Sequence, residues 1–286
     1  MKYESIIIIL AFILVFGLTY HFISLTKGHS YSHGMENLEE KNVYPEDENI
    51  DFYVITLKNP ERMKNIDEQM EKLKDQGTPV QIQIVDGVVG VDLNLNELSE
   101  QKKLCPEYKD RTGYKEMVKK KEIGCYMSHL KIYDIIKEKG NSGYSIIFED
   151  DFKISSDHFL KDVYSSLNYL KEHNLDFDVL YLGTHTENHG ELINDKTYKI
   201  DKGKDLYGTH AMLINHKNID KIIENLKFIK VPIDVEYTQL CRSDKINADV
   251  IFPHIVNQQN EKLTSTIQTE NFQQLTKSFK FSNFEI

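Results

Sequence analysis

The sequence predicts an α/β fold, with a mixed, mostly parallel sheet flanked by helices, on three observations. The first is a strand–helix–strand order. DFYVITL (51–57) is β-branched and aromatic, the Pro60 of KNPERM suits the first turn of a helix, and VQIQIVDG (80–87) alternates apolar and polar residues. That order is the unit of a parallel sheet. The second is the helical rhythm of Ile123, Tyr126, Met127, Leu130 and Tyr133, just ahead of the apolar run YSIIF (144–148). The third is that FDVLYLG (177–183) and NADVIF (247–252) add short buried-type strands.

Taken in order, the first helix runs from Pro60 to about residue 75, where Gly77 and Pro79 stop it. Residues 88–118 are looser and polar, with a Leu-spaced segment, LNLNELSEQKKL. A helix spans 122–139 and ends at Gly140, and another fits 157–173. Residues 184–205 form a long loop rich in His, Asn, Asp and Lys, a kind of loop that is more often functional than accidental. YGTHAMLINHKNIDKII then supplies a short strand, with Asn215 as N-cap of the next helix. VPIDVEYTQL, the strand NADVIF and an irregular tail close one domain over 51–286.

Ahead of that domain, residues 5–25 (SIIIILAFILVFGLTYHFISL) carry no Asp, Glu, Lys or Arg, and about 20 such residues match a bilayer core. With no A-x-A-like cleavage signal, residues 1–26 are expected to be a retained single-span membrane anchor rather than a signal peptide. Lys2 and Lys27 flank it almost evenly and leave its orientation open. Residues 27–50 are polar and acidic and read as a tether.

The chain has 40% hydrophobic and 28% charged residues, an ordinary globular balance. Its net charge of -10 argues against a general nucleic-acid binder. Cys105, Cys125 and Cys241 have no C-x-x-C spacing, so buried free thiols are expected rather than a disulfide framework or a zinc ribbon.

The chemistry is concentrated where YSIIF runs into Glu149, Asp150 and Asp151. Strand alternation would project Glu149 and Asp151 together and Asp150 to the other face. Ligands of open α/β sheets bind beyond the carboxyl ends of the strands. Paired carboxylates there suit Mg²⁺ or Mn²⁺, ions that keep positions open for phosphate oxygens, so a nucleotide-linked substrate is expected. Asp is also a common turn and cap residue, and a purely local role is the competing reading.

The neighbouring stretches resemble glycosyltransferase family 25. They are YVITLKNPERM, VDG (85–87), KEIGCYMSHLKIY, IIFEDD, GTHAMLINHKNIDKII, PIDVEY and PHIVNQQNEKLTSTI, in the family's order. Lys121, Tyr133 and Met212 depart from its usual residues. The resemblance implies a GT-A type, Rossmann-like fold. It also implies a UDP-sugar donor, most often UDP-galactose, and an acceptor hydroxyl on a glycan or a hydroxylysine-type side chain. Glu149 and Asp151 would hold the Mn²⁺ or Mg²⁺ ion, and Asp150 would orient the site or touch the ribose.

Asn59 and Arg62 are placed near the uridine, with an ordinary exposed helix arginine as the alternative for Arg62. Asp86 is a candidate for uracil or ribose against a plain Asp-Gly turn. Glu122, Ser128 and His129 are candidates on the helix before the acidic strand. Gly124 there would serve close packing. The resemblance also implies transfer with inversion, which needs a base, for which Asp234 is first and Glu236 second, although Asp after Pro-x is also an ordinary N-cap. Gln258 matches the family pattern, and His254 is a candidate because a neutral imidazole can complete a manganese site. The alternative to an enzyme is an inactive, membrane-tethered glycan-binding protein on the same fold.

Overall fold

Strand β1 (Ile50–Thr56) buries Phe52, Tyr53 and Val54 and hydrogen-bonds in parallel to two strands, β2 (Ile82–Asp86) and β3 (Tyr144–Glu149). A computed structural model describes residues 50–76, 80–113, 115–140 and 142–259, all within one unit of the chain. The expected anchor (1–26) and the tether up to residue 49 lie outside the described residues. Among the described residues, no helix is long and apolar enough to cross a membrane.

Four more strands complete a seven-stranded sheet: β5 (Val179–Gly183), β6 (Thr197–Lys199), β7 (Ala211–Asn215) and β8 (Ala248–Ile251). The sheet order is β2-β1-β3-β7-β5-β8-β6. Because β7 is antiparallel to β3 and β5, and β8 is parallel to β5, strands β1, β2, β3, β5 and β8 end at one edge of the sheet. β7 begins at that same edge, so the residues just before it, Thr209 and His210, are delivered beside the ends of β3 and β5. The mixed, mostly parallel sheet agrees with the expectation. The short pair β4 (Phe152–Ile154) and β9 (Val256–Gln258), antiparallel to each other, was not foreseen.

The helices are α1 (Pro60–Asp75), α2 (Leu95–Glu100), α3 (Pro106–Lys109), α4 (Glu116–Lys139), α5 (Phe159–Glu172), α6 (Ile219–Leu226) and α7 (Ile233–Arg242). Helix α4 starts six residues before the expected 122, because apolar rhythm marks only the turns that face the core and its first turns present Met117 and lysines instead. Asn215 caps a short 3₁₀ turn, His216–Asn218, by accepting from Lys217 N, and α6 follows that turn. Ile123, Tyr126, Ile132, Tyr133 and Ile136 of α4 pack on Tyr53, Ile147, Tyr181 and Met212 of the sheet. Tyr133 and Tyr237 share a 2.7 Å hydrogen bond in that core. All three cysteines are free; Cys241 is buried, and Cys105 and Cys125 are half-buried.

Gly124 serves packing, as expected. A Cβ there would lie 2.7 Å from Gly90 Cα and 2.8 Å from the Val88 carbonyl oxygen, both backbone atoms that cannot swing aside. We expect Gly124→Ala to destabilise the chain by about 1–3 kcal/mol, the cost of overpacking a filled interior. In urea unfolding, the midpoint should fall with the slope unchanged.

Candidate active site

The acidic turn follows β3 directly. The strand ends at Glu149, so the alternation expected to carry Glu149 and Asp151 to one face does not extend that far: Asp150 and Asp151 lie in a turn. Their partners divide differently. Arg62 Nη1 is 2.7 Å from Asp151 Oδ2 and 3.3 Å from Asp150 Oδ1. Gln258 Nε2 donates to Asp151 Oδ2 at 2.8 Å. The other oxygen of Asp151, Oδ1, is buried and has no hydrogen-bond partner. Glu149 turns instead to α4 and to the start of β7, where Oε1 meets His129 Nε2 at 3.2 Å and accepts from Thr209 Oγ1 at 2.7 Å.

Electrostatics follow this division. Burial pushes the Glu149 carboxyl up, but the hydrogen bond and charge of His129, with the Thr209 hydroxyl, outweigh it and hold Glu149 well below the usual range. Burial also pushes Asp151 up, the neighbouring Glu149 charge adds to this, and together they exceed the pull of Arg62. Burial raises Asp150 against the Thr56 hydroxyl and Arg62. The turn is therefore a concentration of negative charge that a single guanidinium does not neutralise.

Helix α1 explains how the turn is held. Arg62, Asn65, Gln69, Lys72 and Gln76 recur at three- and four-residue spacing and form one stripe. Asn65 Nδ2 donates to the carbonyls of Asp150 (2.9 Å) and Phe152 (3.0 Å), while Gln69 Oε1 accepts from Ile154 N at 2.9 Å. Lys72 Nζ donates to the Ile154 carbonyl, and Gln76 holds both Ser156 O and Phe159 N. On the other side, β9 pairs with β4, and Gln259 N donates to Asp151 O at 2.8 Å. The segment after the acids is therefore clamped from both sides through its backbone.

Several expected site residues make contacts that hold the scaffold. Arg62 is not an exposed helix arginine: it is 4% exposed and serves as counter-ion to Asp150 and Asp151. Asn59 caps α1 by accepting from Glu61 N at 2.9 Å. Ser128 donates to Gly124 O and accepts from Val88 N at 2.8 Å, fastening α4 to the loop after β2. Glu122 is buried and accepts from Tyr108 Oη at 2.7 Å. Asp86 stays exposed at the end of β2 and pairs with Lys58 at 2.6 Å, an arrangement open to a ligand.

His254 does not join Asp151 and Glu149. Among the described residues it is not in a donor group with them, and its Nε2 contacts Thr184 Oγ1 at 3.1 Å, just past the end of β5. Asp234 and Glu236 are separated because residues two apart on a helix point to opposite sides. Glu236 is 1% exposed and lies 3.6 Å from Lys230, away from the strand ends. Asp234 remains at the carboxyl edge, half-buried, accepting from Val235 N at 2.8 Å and Gly208 N at 3.4 Å. Burial raises its carboxyl, against the pull of those amides and of His185.

Sequence reasoning missed Thr209, His210, His185 and Asn65. His210 is buried beside Gly183, its ring centroid 5.1 Å from that of His185, and burial lowers it to about 4, so it is neutral at pH 7. Its place before β7 was the available signal, but only the antiparallel insertion of β7 brings it to the acids.

Residues 49–236 match glycosyltransferase family 25 (LPS biosynthesis protein). Procollagen galactosyltransferase 1-A of Xenopus laevis is 33% identical over 124 residues, covering 42% of this chain and 20% of that protein. Procollagen galactosyltransferase 1-B of Xenopus laevis is 30% identical over 145 residues, covering 46% and 23%. The probable inactive glycosyltransferase 25 family member 3 of Rattus norvegicus is 30% identical over 105 residues, covering 36% and 18%. The matched part of this chain thus spans about a fifth of the length of these relatives. Among solved structures, mannose-1-phosphate geranyltransferase from Thermus thermophilus aligns with a TM-score of 0.33 at 9% identity, covering 71% of this chain and 73% of that one. The family match, spanning the first strand, the acidic turn and the start of α7, shows that this chain belongs to glycosyltransferase family 25.

Proposed function

We propose that this chain is a metal-dependent galactosyltransferase of GT-A type. It would move galactose from UDP-galactose to a hydroxyl of a glycan or a hydroxylysine-type acceptor, with inversion, while tethered to a membrane by its N-terminus. The observation that carries this reading is Asp151. It is a buried carboxylate at the carboxyl edge of the sheet, held by Arg62 and Gln258 through one oxygen, with the other oxygen unpartnered. Its similarity to procollagen galactosyltransferases supports the choice of donor.

The residues fit a hard divalent ion. Asp151 Oδ1 is an oxygen donor lacking a partner in a net negative turn, and Glu149 beside it is kept ionised. Asp151 and Glu149 would hold Mn²⁺ or Mg²⁺, which when bound neutralises charge on the leaving diphosphate. Arg62, Asn65 and Gln258 fix the turn so that its carboxylates need no reorganisation during the reaction. Asp86, exposed at the end of β2, would meet the nucleoside, and Asp234 at the same edge would take the acceptor's hydroxyl proton.

A base must be ionised to act, and the Asp234 carboxyl is raised above its ordinary value. The expected result is a kcat/KM that falls as pH drops through an apparent pKa above the usual aspartate value of about 4. The residual rate of Asp234→Asn should lack that limb. The reading as a whole is tested by UDP release from a panel of UDP-sugars, with and without Mn²⁺. UDP-galactose is expected to be turned over fastest, and only with the ion. No release from any donor under either condition would instead support the inactive, glycan-binding reading, which similarity to the rat protein keeps in play.

A further inference from the structure

Cys125 and His129 stand one helical turn apart on α4, on the face that meets the end of β3. Cys125 Sγ lies 3.9 Å, and His129 Nε2 3.2 Å, from the same oxygen of Glu149. All three donor atoms fall within 4.8 Å of one another, and among the described residues no other His, Cys, Asp and Glu group does so. Bonds of about 2.3 Å to sulfur and 2.0–2.2 Å to nitrogen and oxygen place neighbouring ligands of a tetrahedral ion roughly 3.3–3.7 Å apart. The nitrogen–oxygen separation is slightly short of that range and the sulfur–oxygen separation slightly wide of it.

We infer that Cys125, His129 and Glu149 form a binding site for a thiophilic divalent cation of the zinc type, which adjoins the hard-ion site at Asp151 and shares Glu149 with it. Sulfur, imidazole and carboxylate together suit zinc or cobalt, whereas magnesium and calcium prefer all-oxygen sets. The two sites also face different partners, since Asp150 and Asp151 turn to Arg62 and Gln258. Glu149, Asp234, Asp151 and Glu122 all act on Cys125 with negative charge, a field that favours a dication. Thr209, which donates to Glu149 Oε1 at 2.7 Å, would orient the ligating carboxylate from outside the coordination shell. On binding, the Cys125 thiol proton leaves to solvent and the sulfur ligates as thiolate. An ion there joins α4 to the end of β3, so its effect is to stabilise the domain. None of this requires that the chain transfer a sugar.

The test is a Co²⁺ titration of the full-length chain after chelation. One equivalent should produce a thiolate-to-cobalt charge-transfer band and tetrahedral d–d bands, and Zn²⁺ should displace the Co²⁺ and raise Tm. The charge-transfer band should vanish in Cys125→Ser and persist in Cys105→Ser, Cys241→Ser and Asp151→Asn. Absence of the band in the wild type, or its survival in Cys125→Ser, overturns the site. If Cys125→Ser does not fold, zinc-edge X-ray absorption on the wild type decides: one sulfur with nitrogen and oxygen ligands is expected, and a shell without sulfur overturns it. A charge-transfer band in a protein that releases no UDP would contradict the transferase reading alone.

Discussion

Asp151→Asn is expected to lower UDP release from UDP-galactose by at least about 100-fold, the scale on which one preorganised charge contact acts in a transition state. The substitution keeps the size of the side chain and removes its charge, so Gln258 and the backbone bond from Gln259 still have partners. Arg62 still has Asp150. The loss should therefore fall on donor binding and turnover together, with thermal stability little changed. Asp86→Asn is the control: its carboxylate is exposed and salt-bridged to Lys58, and we expect a smaller effect that falls mainly on KM. Steady-state kinetics of the two variants side by side would separate these outcomes.

Arg62→Met is expected to destabilise the domain by roughly 3–5 kcal/mol, because it leaves the buried Asp151 and the half-buried Asp150 without their counter-ion. The side chains of Arg62 and Asp151 are 5% and 8% exposed, so solvent screening does little to soften the loss. At a few degrees per kcal/mol for a domain of this size, Tm should fall by roughly 10 °C. Lowering the pH should return part of that stability, since Asp150 and Asp151 are already raised by burial and protonate readily once the guanidinium is gone. The double change Arg62→Met with Asp151→Asn should cost less than the sum of the two. Thermal and urea unfolding of the four proteins would measure that coupling.

These two residues also show what the sequence could and could not reveal. YSIIF ending in three acids was legible as a strand delivering charge to a sheet edge, because apolar runs and carboxylates differ so sharply in hydration. Pro60 and the spacing of 123–133 placed α1 and the core of α4 for similar reasons. The polar stripe of α1 was misleading. Arg62, Asn65 and Gln69 look like a solvated helix face, yet they are buried, because the backbone of residues 150–154 needs partners that only long polar side chains can reach. Likewise, β4 and β9 have three residues each, too few for a periodic signal. Thr209 and His210 reach the acids only through the antiparallel placement of β7, a fact of topology that local pattern does not carry.

His254 and Glu236 illustrate a related limit. Each is a chemically apt residue next to a matching motif, yet His254 contacts Thr184 and Glu236 lies beside Lys230, partners that no local pattern announces. Asp234 kept its place because the first turn of α7 opens onto the strand ends, where Gly208 N meets it.

The central claim is that the acidic turn binds a nucleoside diphosphate through a divalent ion, and calorimetric titration of the full-length chain with UDP addresses it most directly. The account predicts UDP binding that requires Mn²⁺ and is lost in Asp151→Asn. Equal UDP affinity with and without the ion, or unchanged affinity in Asp151→Asn, would contradict it.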